Sequence, residues 1–400
     1  MSNLRSFDED FTRAMERVKN DDQVCEENKK LILDFADKCF ADGLSKGRLC
    51  KLMYTIRYLA GYMKKPFSEA SKKDIQGVVA QVERCERYTT WTKYDYKVIL
   101  KKFYKWLKGN DDVYPDEVRW IKPSIRGGKR ILPEELVTED EVKRLAEAAD
   151  HPRDKALIMV LYESGCRIGE ILTLKIKNVQ FDEYGAVLRV SGKTGDRRVR
   201  IVASAPLIAA WIDVHPHRDD PNESLWVGRF KRYENKTPTY ESIVKRFKEL
   251  AVKAGVKHRI YPHLFRHSRA TRLAGKLTEA QMKEHFGWTQ SSKMASIYVH
   301  LSGRDVDQAI LGTYGIKDQD SSKPDEKFTP KNCTRCRTPN SPISKFCSKC
   351  GFVLNAETVY QAENERKKAD DLMSTLMQDP EIKKLIVARL LQSGLASSLV

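Results

Sequence analysis

Apolar positions near the start of the chain recur at helical spacing. Leu31, Ile32, Phe35, Ala36 and Cys39 form one stripe, and Leu49, Leu52, Met53, Ile56, Leu59, Tyr62 and Met63 form a second. Pro66 breaks the period. Ser71 followed by Asp74 signals the start of a helix from Ile75 to Val82. Tyr94, Val98, Ile99, Phe103, Trp106 and Leu107 line a fourth, which stops near Gly109. The pattern thus predicts four helices between about residues 22 and 108, a small helical domain within 1–110. From 109 to 135 neither a period of 2 nor one of 3.6 survives, and Gly, Pro and charge dominate. This stretch reads as a linker, 111–137, whose Arg126, Lys129 and Arg130 suit a phosphate backbone.

Thr138 opens the next helix with a capping box, Thr-Glu-Asp-Glu. A second helix runs from about Arg153 to Ser164 and is closed by Gly165, and a third follows from Arg167 to Leu174. The period then changes: Val187, Leu188 and Val190, a Gly-Lys-Thr-Gly turn, and Val199, Ile201 and Val202 predict a β-hairpin. Helices are expected to resume after Pro206 and to continue to about residue 312, giving a domain over 138–316. A polar, Pro-containing linker (317–331), a cysteine cluster (332–354) and a helical tail (355–400) complete the chain. The tail stripe holds Leu372, Met373, Leu376 and Met377, then Ile382, Leu385, Ile386, Leu390 and Leu391 after Asp379-Pro380-Glu381. The fold class expected is mainly α, with a small β-sheet or hairpin in the second domain.

Charge adds a direction. Among 400 residues, 72 are Lys or Arg and 55 are Asp or Glu, a net charge of +17 that favours a polyanionic partner, most often nucleic acid. From Gly228 to Lys276 there are 14 basic residues against three Glu, which reads as a DNA-gripping stripe. No stretch approaches the ~18 consecutive apolar residues of a membrane span, so no membrane partner is expected. The first residues carry charge where a signal peptide is apolar, and the nine cysteines are odd in number and partly scattered. Both point to a reducing, cytoplasmic setting.

Cys333-x-x-Cys336 and Cys347-x-x-Cys350 form the sharpest local motif, with ten residues between the pairs. Each pair would sit on a tight turn and offer two thiolates to one tetrahedral zinc ion, with Gly351 supplying backbone freedom after the second. Four cysteine ligands leave no open position, so the zinc of this ribbon would be structural. Five basic and no acidic residues lie from Lys331 to Gly351, which offsets the negative centre and suits DNA or an acidic protein surface.

A second set is dispersed over about 130 residues: Arg167 with Glu170, Lys193 in the hairpin turn, His263-Leu264-Phe265-Arg266-His267, Phe286-Gly287-Trp288, and Tyr298. In this order the set resembles the tyrosine recombinase (phage-type integrase) family, whose pattern is Arg, Lys, His-x-x-Arg, His or Trp, Tyr. The resemblance covers about 138–312, and the N-terminal domain resembles the family's core-binding domain in size, position and basic character. Tyr298 lies ten positions after Trp288, one more than is common in the family, and His285 is the rival for the Trp288 position. The zinc ribbon is an appendage to the common family core.

The resemblance implies that Tyr298 attacks a phosphodiester and stores it as a 3′-phosphotyrosyl ester, leaving a free 5′-hydroxyl. Arg167 and Arg266 would fork onto the non-bridging oxygens, His263 and Trp288 would each add a hydrogen bond, and Lys193 would protonate the departing 5′-oxygen. Glu170, one turn from Arg167, would hold it in place; His267 and His300 are read as structural supports. The family implies a C-shaped clamp on double-stranded DNA and a homotetramer on paired sites. It needs neither ATP nor a catalytic metal, because the covalent ester keeps the energy for religation. Ser191-Gly192-Lys193-Thr194 resembles the end of a P-loop, but Val187 stands where the Walker motif has glycine, and the string lies between strands. Two rivals stand beside the recombinase reading: DNA relaxation of the type IB topoisomerase kind, and a non-enzymatic zinc-ribbon DNA-binding regulator.

Overall fold

The computed structural model describes residues 7–63, 65–109, 113–125, 135–192, 194–229, 236–299 and 328–382, with 310, 313, 314, 384, 385 and 389. Its contacts divide the chain into two units, Met1–Pro133 and Glu134–Val400. Lys193, His300, Arg126, Lys129, Arg130, Ile386, Leu390 and Leu391 lie outside the described residues, as does most of 317–331.

The first unit packs α1 (Phe7–Lys19), α2 (Glu26–Ala41), α3 (Lys46–Tyr62), α4 (Lys72–Arg84), α5 (Thr90–Leu107) and a short α6 (Asp116–Arg119). Helix α1 lies outside the four that periodicity picks out, although Phe11, Ala14, Met15 and Val18 already share a face. Ser71 and Asp74 form the expected capping box, each satisfying the other's backbone N–H. The centre is aromatic: Phe103 meets Phe35 at 5.3 Å and Phe67 at 5.0 Å, both edge-on. Buried Asn28 accepts the Phe67 amide at 2.8 Å and donates to the Lys65 carbonyl at 3.2 Å, which fixes the break at Pro66 between α3 and α4. Val118 and Ile121 join this core, so part of the stretch that reads as linker is built into the unit.

The second unit is organised around α8 (Pro152–Ser164), buried on nearly every side and contacted by α7 (Glu139–Ala148), α10 (Ala205–Asp213) and α12 (Pro262–Ala274). Short α9 (Ile168–Leu172) leads into an antiparallel sheet of order β1-β2-β3: Val179–Asp182, Gly185–Gly192 and Gly195–Ile201. The predicted hairpin is β2–β3, with Val187 opposite Arg200 and Gly192 opposite Gly195; β1 is an added edge strand. Glu163, at the end of α8, accepts the amides of Val202, Ala203 and Ser204 at 2.7–2.9 Å and so locks the end of β3 to the start of α10.

Helices do not continue unbroken after Pro206. Between α10 and α11 (Tyr240–Lys253), Pro216, Pro221 and Pro238 interrupt the backbone ladder, and an irregular run sends Leu225, Trp226 and Val227 into the core. Helices α13 (Glu279–Phe286) and α14 (Met294–Val299) close the unit beside α12. Strands β4 (Lys331–Asn332) and β5 (Pro339–Asn340) belong to the cysteine cluster, and the tail contains a helix at Ala356–Gln378. Among the described residues no helix is long and apolar enough to cross a membrane.

Candidate active site

Gly165 ends α8 with φ of +58°, and a Cβ there would stand 2.5 Å from the Phe286 ring. This tight turn delivers Arg167 to the N-cap of α9. Its amide donates to Glu170 Oε2 and its Nη1 to Glu170 Oε1, both at 2.8 Å, while Nη2 reaches the Gly287 carbonyl at 3.4 Å. The Arg167 side chain stays about a third exposed, available to a ligand.

Arg266 comes from the first turns of α12, started by Pro262, and is 4% exposed. It donates to the carbonyls of Gly165 at 2.9 Å and Phe286 at 2.7 Å, and its guanidinium lies 5.4 Å from the Trp288 ring centre. Burial, then the charge of Arg167, bring it down to about 10, still protonated near neutrality. His263, one turn earlier, is exposed; burial of part of its ring, then Arg266 and Arg167, lower its pKa.

Arg197 completes the cluster, and sequence reading passed over it. Its Nη1 and Nη2 meet the two Glu170 oxygens at 3.1 and 2.8 Å, and its Nε donates to the His285 carbonyl at 3.0 Å. The signal was present: in β3, Arg197 is in phase with Val199 and Ile201, on the buried face. Burial alone would push Glu170 up, but Arg197 and then the Arg167 amide and guanidinium outweigh it and hold the carboxyl below its ordinary range. Two guanidiniums share this one carboxylate and Arg266 adds a third positive charge, which leaves an excess of positive charge for an anion.

Trp288 follows Gly287, whose φ of +60° ends α13, and its ring lies parallel to that of Tyr298, centres 5.7 Å apart. Tyr298 is 6% exposed, packed with Ala270, Ala274, Met282, Phe286 and Ala295. Burial pushes it up to about 12, against the pull of Arg266. Its hydroxyl meets His267 Nδ1. His285 does not share this position: its Nε2 is buried, and burial, then Arg269 and Arg197, bring its pKa down to about 4. Of the two rivals, Trp288 is the one beside Arg266 and Tyr298. Chemically, the site is an anion cradle with a phenol on its wall.

Residues 135–304 match the phage integrase family. The chain is similar to tyrosine recombinase XerA of Pyrococcus furiosus, 26% identical over 284 residues, covering 70% of this chain and 93% of that protein. In fold it is similar to XerH site-specific recombinase bound to difH substrate in a pre-cleavage complex (TM-score 0.51, 18% identity, 77% of this chain and 96% of that one). It is also similar to a lambda integrase tetramer bound to a Holliday junction (TM-score 0.50, 13% identity, 67% of this chain and 76% of that one).

Three of the 14 basic residues from Gly228 to Lys276 pair with carboxylates within the unit, while Lys245, Lys248 and Lys253 stay exposed. Arg246 pairs with Asp154 at 2.8 Å, Arg229 with the same carboxylate at 3.4 Å, and Arg272 with Glu139 at 2.8 Å. The acidic partners stand on α7 and α8, far away in sequence, so a local charge count does not find them.

A separate candidate metal centre lies beyond the domain. The four sulfurs of Cys333, Cys336, Cys347 and Cys350 lie within 4.8 Å of one another. The two knuckles repeat one geometry: Arg337 N–H donates to the Cys333 carbonyl at 2.8 Å and Gly351 N–H to that of Cys347 at 2.9 Å, with φ of +58° and +69°. Four converging thiols are the donor set of a tetrahedral soft-metal site. Phe328, at the entrance to the cluster, packs edge-on against Tyr162 of α8 at 5.0 Å.

Proposed function

We propose that this chain is a tyrosine-type site-specific DNA recombinase, which cuts and rejoins double-stranded DNA through a 3′-phosphotyrosyl intermediate without ATP. Residues 1–110 serve as the core-binding domain, 138–316 as the catalytic domain, and 332–354 as a zinc ribbon, with linkers and a helical tail between and after them. The working unit is a homotetramer on paired sites, in the cytoplasm.

In this reading Arg167 and Arg266 bind the scissile phosphate from two sides. Their charge balances the negative charge that grows as Tyr298 Oη bonds to phosphorus; one such preorganised donor is commonly worth about 10²–10³ in rate. Glu170 and Arg197 position Arg167. His263 and the Trp288 indole N–H donate to the phosphate, and Lys193 protonates the departing 5′-oxygen. His285 supports the turn through its backbone carbonyl. A zinc ion held by Cys333, Cys336, Cys347 and Cys350 supplies folding energy to a segment too short for a core of its own.

The observation that carries this reading is the meeting of Arg167, Arg266, Trp288 and Tyr298, from four separated segments, around an excess of positive charge. The Xer-type relatives and the DNA-bound structures of similar fold support it. The test is covalent capture on a nicked duplex. The unaltered chain is expected to form a protein–DNA adduct stable to denaturation. Tyr298→Phe should form none while keeping its affinity for the same DNA. An adduct with that variant refutes the assignment. DNA binding without any adduct in the unaltered chain favours the non-enzymatic regulator, and relaxation without paired sites favours the topoisomerase.

A further inference from the structure

His263 and His267 stand one turn apart on α12, their rings edge to face at 4.7 Å, yet they address different things. His263 is exposed, and it lies near enough to Arg266 and Arg167 for both to lower its pKa. His267 is half-buried and holds the Tyr298 hydroxyl. A phenol that is 6% exposed needs an acceptor for its O–H, and among the described residues the imidazole Nδ1 is its hydrogen-bond partner. If Nδ1 carried the proton instead, the phenol hydrogen would be buried with nothing to receive it. The tautomer that satisfies both groups therefore has the hydrogen on Nε2 and a free lone pair on Nδ1, aimed at the nucleophile.

We propose that His267, rather than the phosphate-facing His263, is the proton acceptor for Tyr298: its Nδ1 holds the phenol at rest and takes its proton as the oxygen attacks. The step balances. The Tyr298 Oη–phosphorus bond forms and the phosphorus–O5′ bond breaks; the phenol proton moves to His267 Nδ1, and the 5′-oxygen receives its proton from the general acid. Religation reverses both transfers, with His267 returning its proton to the departing phenolate.

The surroundings make the transfer conditional on DNA. At rest, burial, then His263 and Arg266, hold His267 down at about 4, so its lone pair is free near neutrality. The groups that face it are His263 and Arg266 on α12 and Tyr298 on α14. A bound phosphate brings negative charge against Arg266 and Arg167 and weakens the repulsion that opposes an imidazolium. The phenol becomes acidic as its oxygen bonds to phosphorus. The free chain thus keeps a protonated, sheltered nucleophile, and the scissile phosphate completes the conditions for its activation.

This inference rests on the recombinase reading above, and one assay separates the two. Single-turnover adduct formation is followed on the nicked duplex at saturating protein. His267→Asn places an amide oxygen near the Nδ1 position: it accepts the hydrogen bond but cannot take a proton. At pH 7 this variant is expected to react about 10²-fold or more slowly, with DNA affinity unchanged. The deficit should narrow as pH rises, because hydroxide takes over the missing base. His267→Ala should regain rate in proportion to added imidazole. A His267→Asn rate equal to that of the unaltered chain, or a deficit identical at every pH, overturns the proposal. If Tyr298→Phe still yields adduct, the recombinase reading itself has failed; if it yields none while His267→Asn is unimpaired, only this inference falls. A check that needs no variant is the ¹⁵N spectrum of histidine-labelled protein: a protonated Nδ1 at His267 in the free chain overturns the assignment.

Discussion

Arg197→Ala probes the hidden support of the site. The guanidinium is 9% exposed as a residue and holds both oxygens of Glu170, which is 4% exposed, together with the His285 carbonyl. Removing one partner of a buried ion pair costs about 3–5 kcal/mol. Glu170 keeps Arg167 at 2.8 Å, so the carboxylate is not stranded, and the lower end, about 3 kcal/mol, is expected. For a unit of this size that corresponds to a fall in Tm of roughly 6–12 °C, read by calorimetry on the full chain. The next residue supplies the control: Arg198 faces solvent, and Arg198→Ala should stay within about 0.5 kcal/mol of the parent. The pH dependence has a definite sign. Glu170 is held below its unfolded pKa, so its contribution is present above that value and is lost as pH falls through the lower, folded one. Without Arg197 burial pushes the carboxyl up, so the acid loss of stability should begin at higher pH. Adduct formation should slow by up to about 10²-fold through misplacement of Arg167, with little change in DNA affinity. Equal Tm values for Arg197→Ala and Arg198→Ala would refute the reasoning.

Gly165→Ala sets a Cβ 2.5 Å from the Phe286 ring at a φ of +58°. A stability loss of about 1–3 kcal/mol is expected, along with slower adduct formation, since the Phe286 carbonyl holds Arg266 at 2.7 Å. Denaturant titration and the capture assay check the two effects. Cys347→Ser should reduce bound zinc, measured by elemental analysis, from one ion per chain to a small fraction. It should also expose 332–354 to protease, while single-turnover adduct formation continues.

Much of this protein was legible along the chain because its signals are local. A capping box spans three residues, so Ser71–Asp74 and Thr138–Glu141 announce α4 and α7 without tertiary help. Gly165 marks its helix end because a left-handed backbone is its own property. The paired cysteines, and the ordered Arg167, His263, Arg266 and Tyr298, are readable for the same reason: residue type and spacing carry the chemistry. What only the tertiary structure decided depends on which face meets which. Arg197 looks like one arginine among several in β3 until its strand face is seen to pack against Glu170 of α9. The Trp288 indole lies beside Tyr298 and His285 does not, because the turn at Gly287 directs the indole there. The basic run of α11 and α12 loses part of its apparent DNA face to carboxylates on α7 and α8. His267 reads as a structural support until α14 brings a phenol to its ring. Each of these turns on a side-chain direction across a large separation in sequence, which residue spacing does not encode.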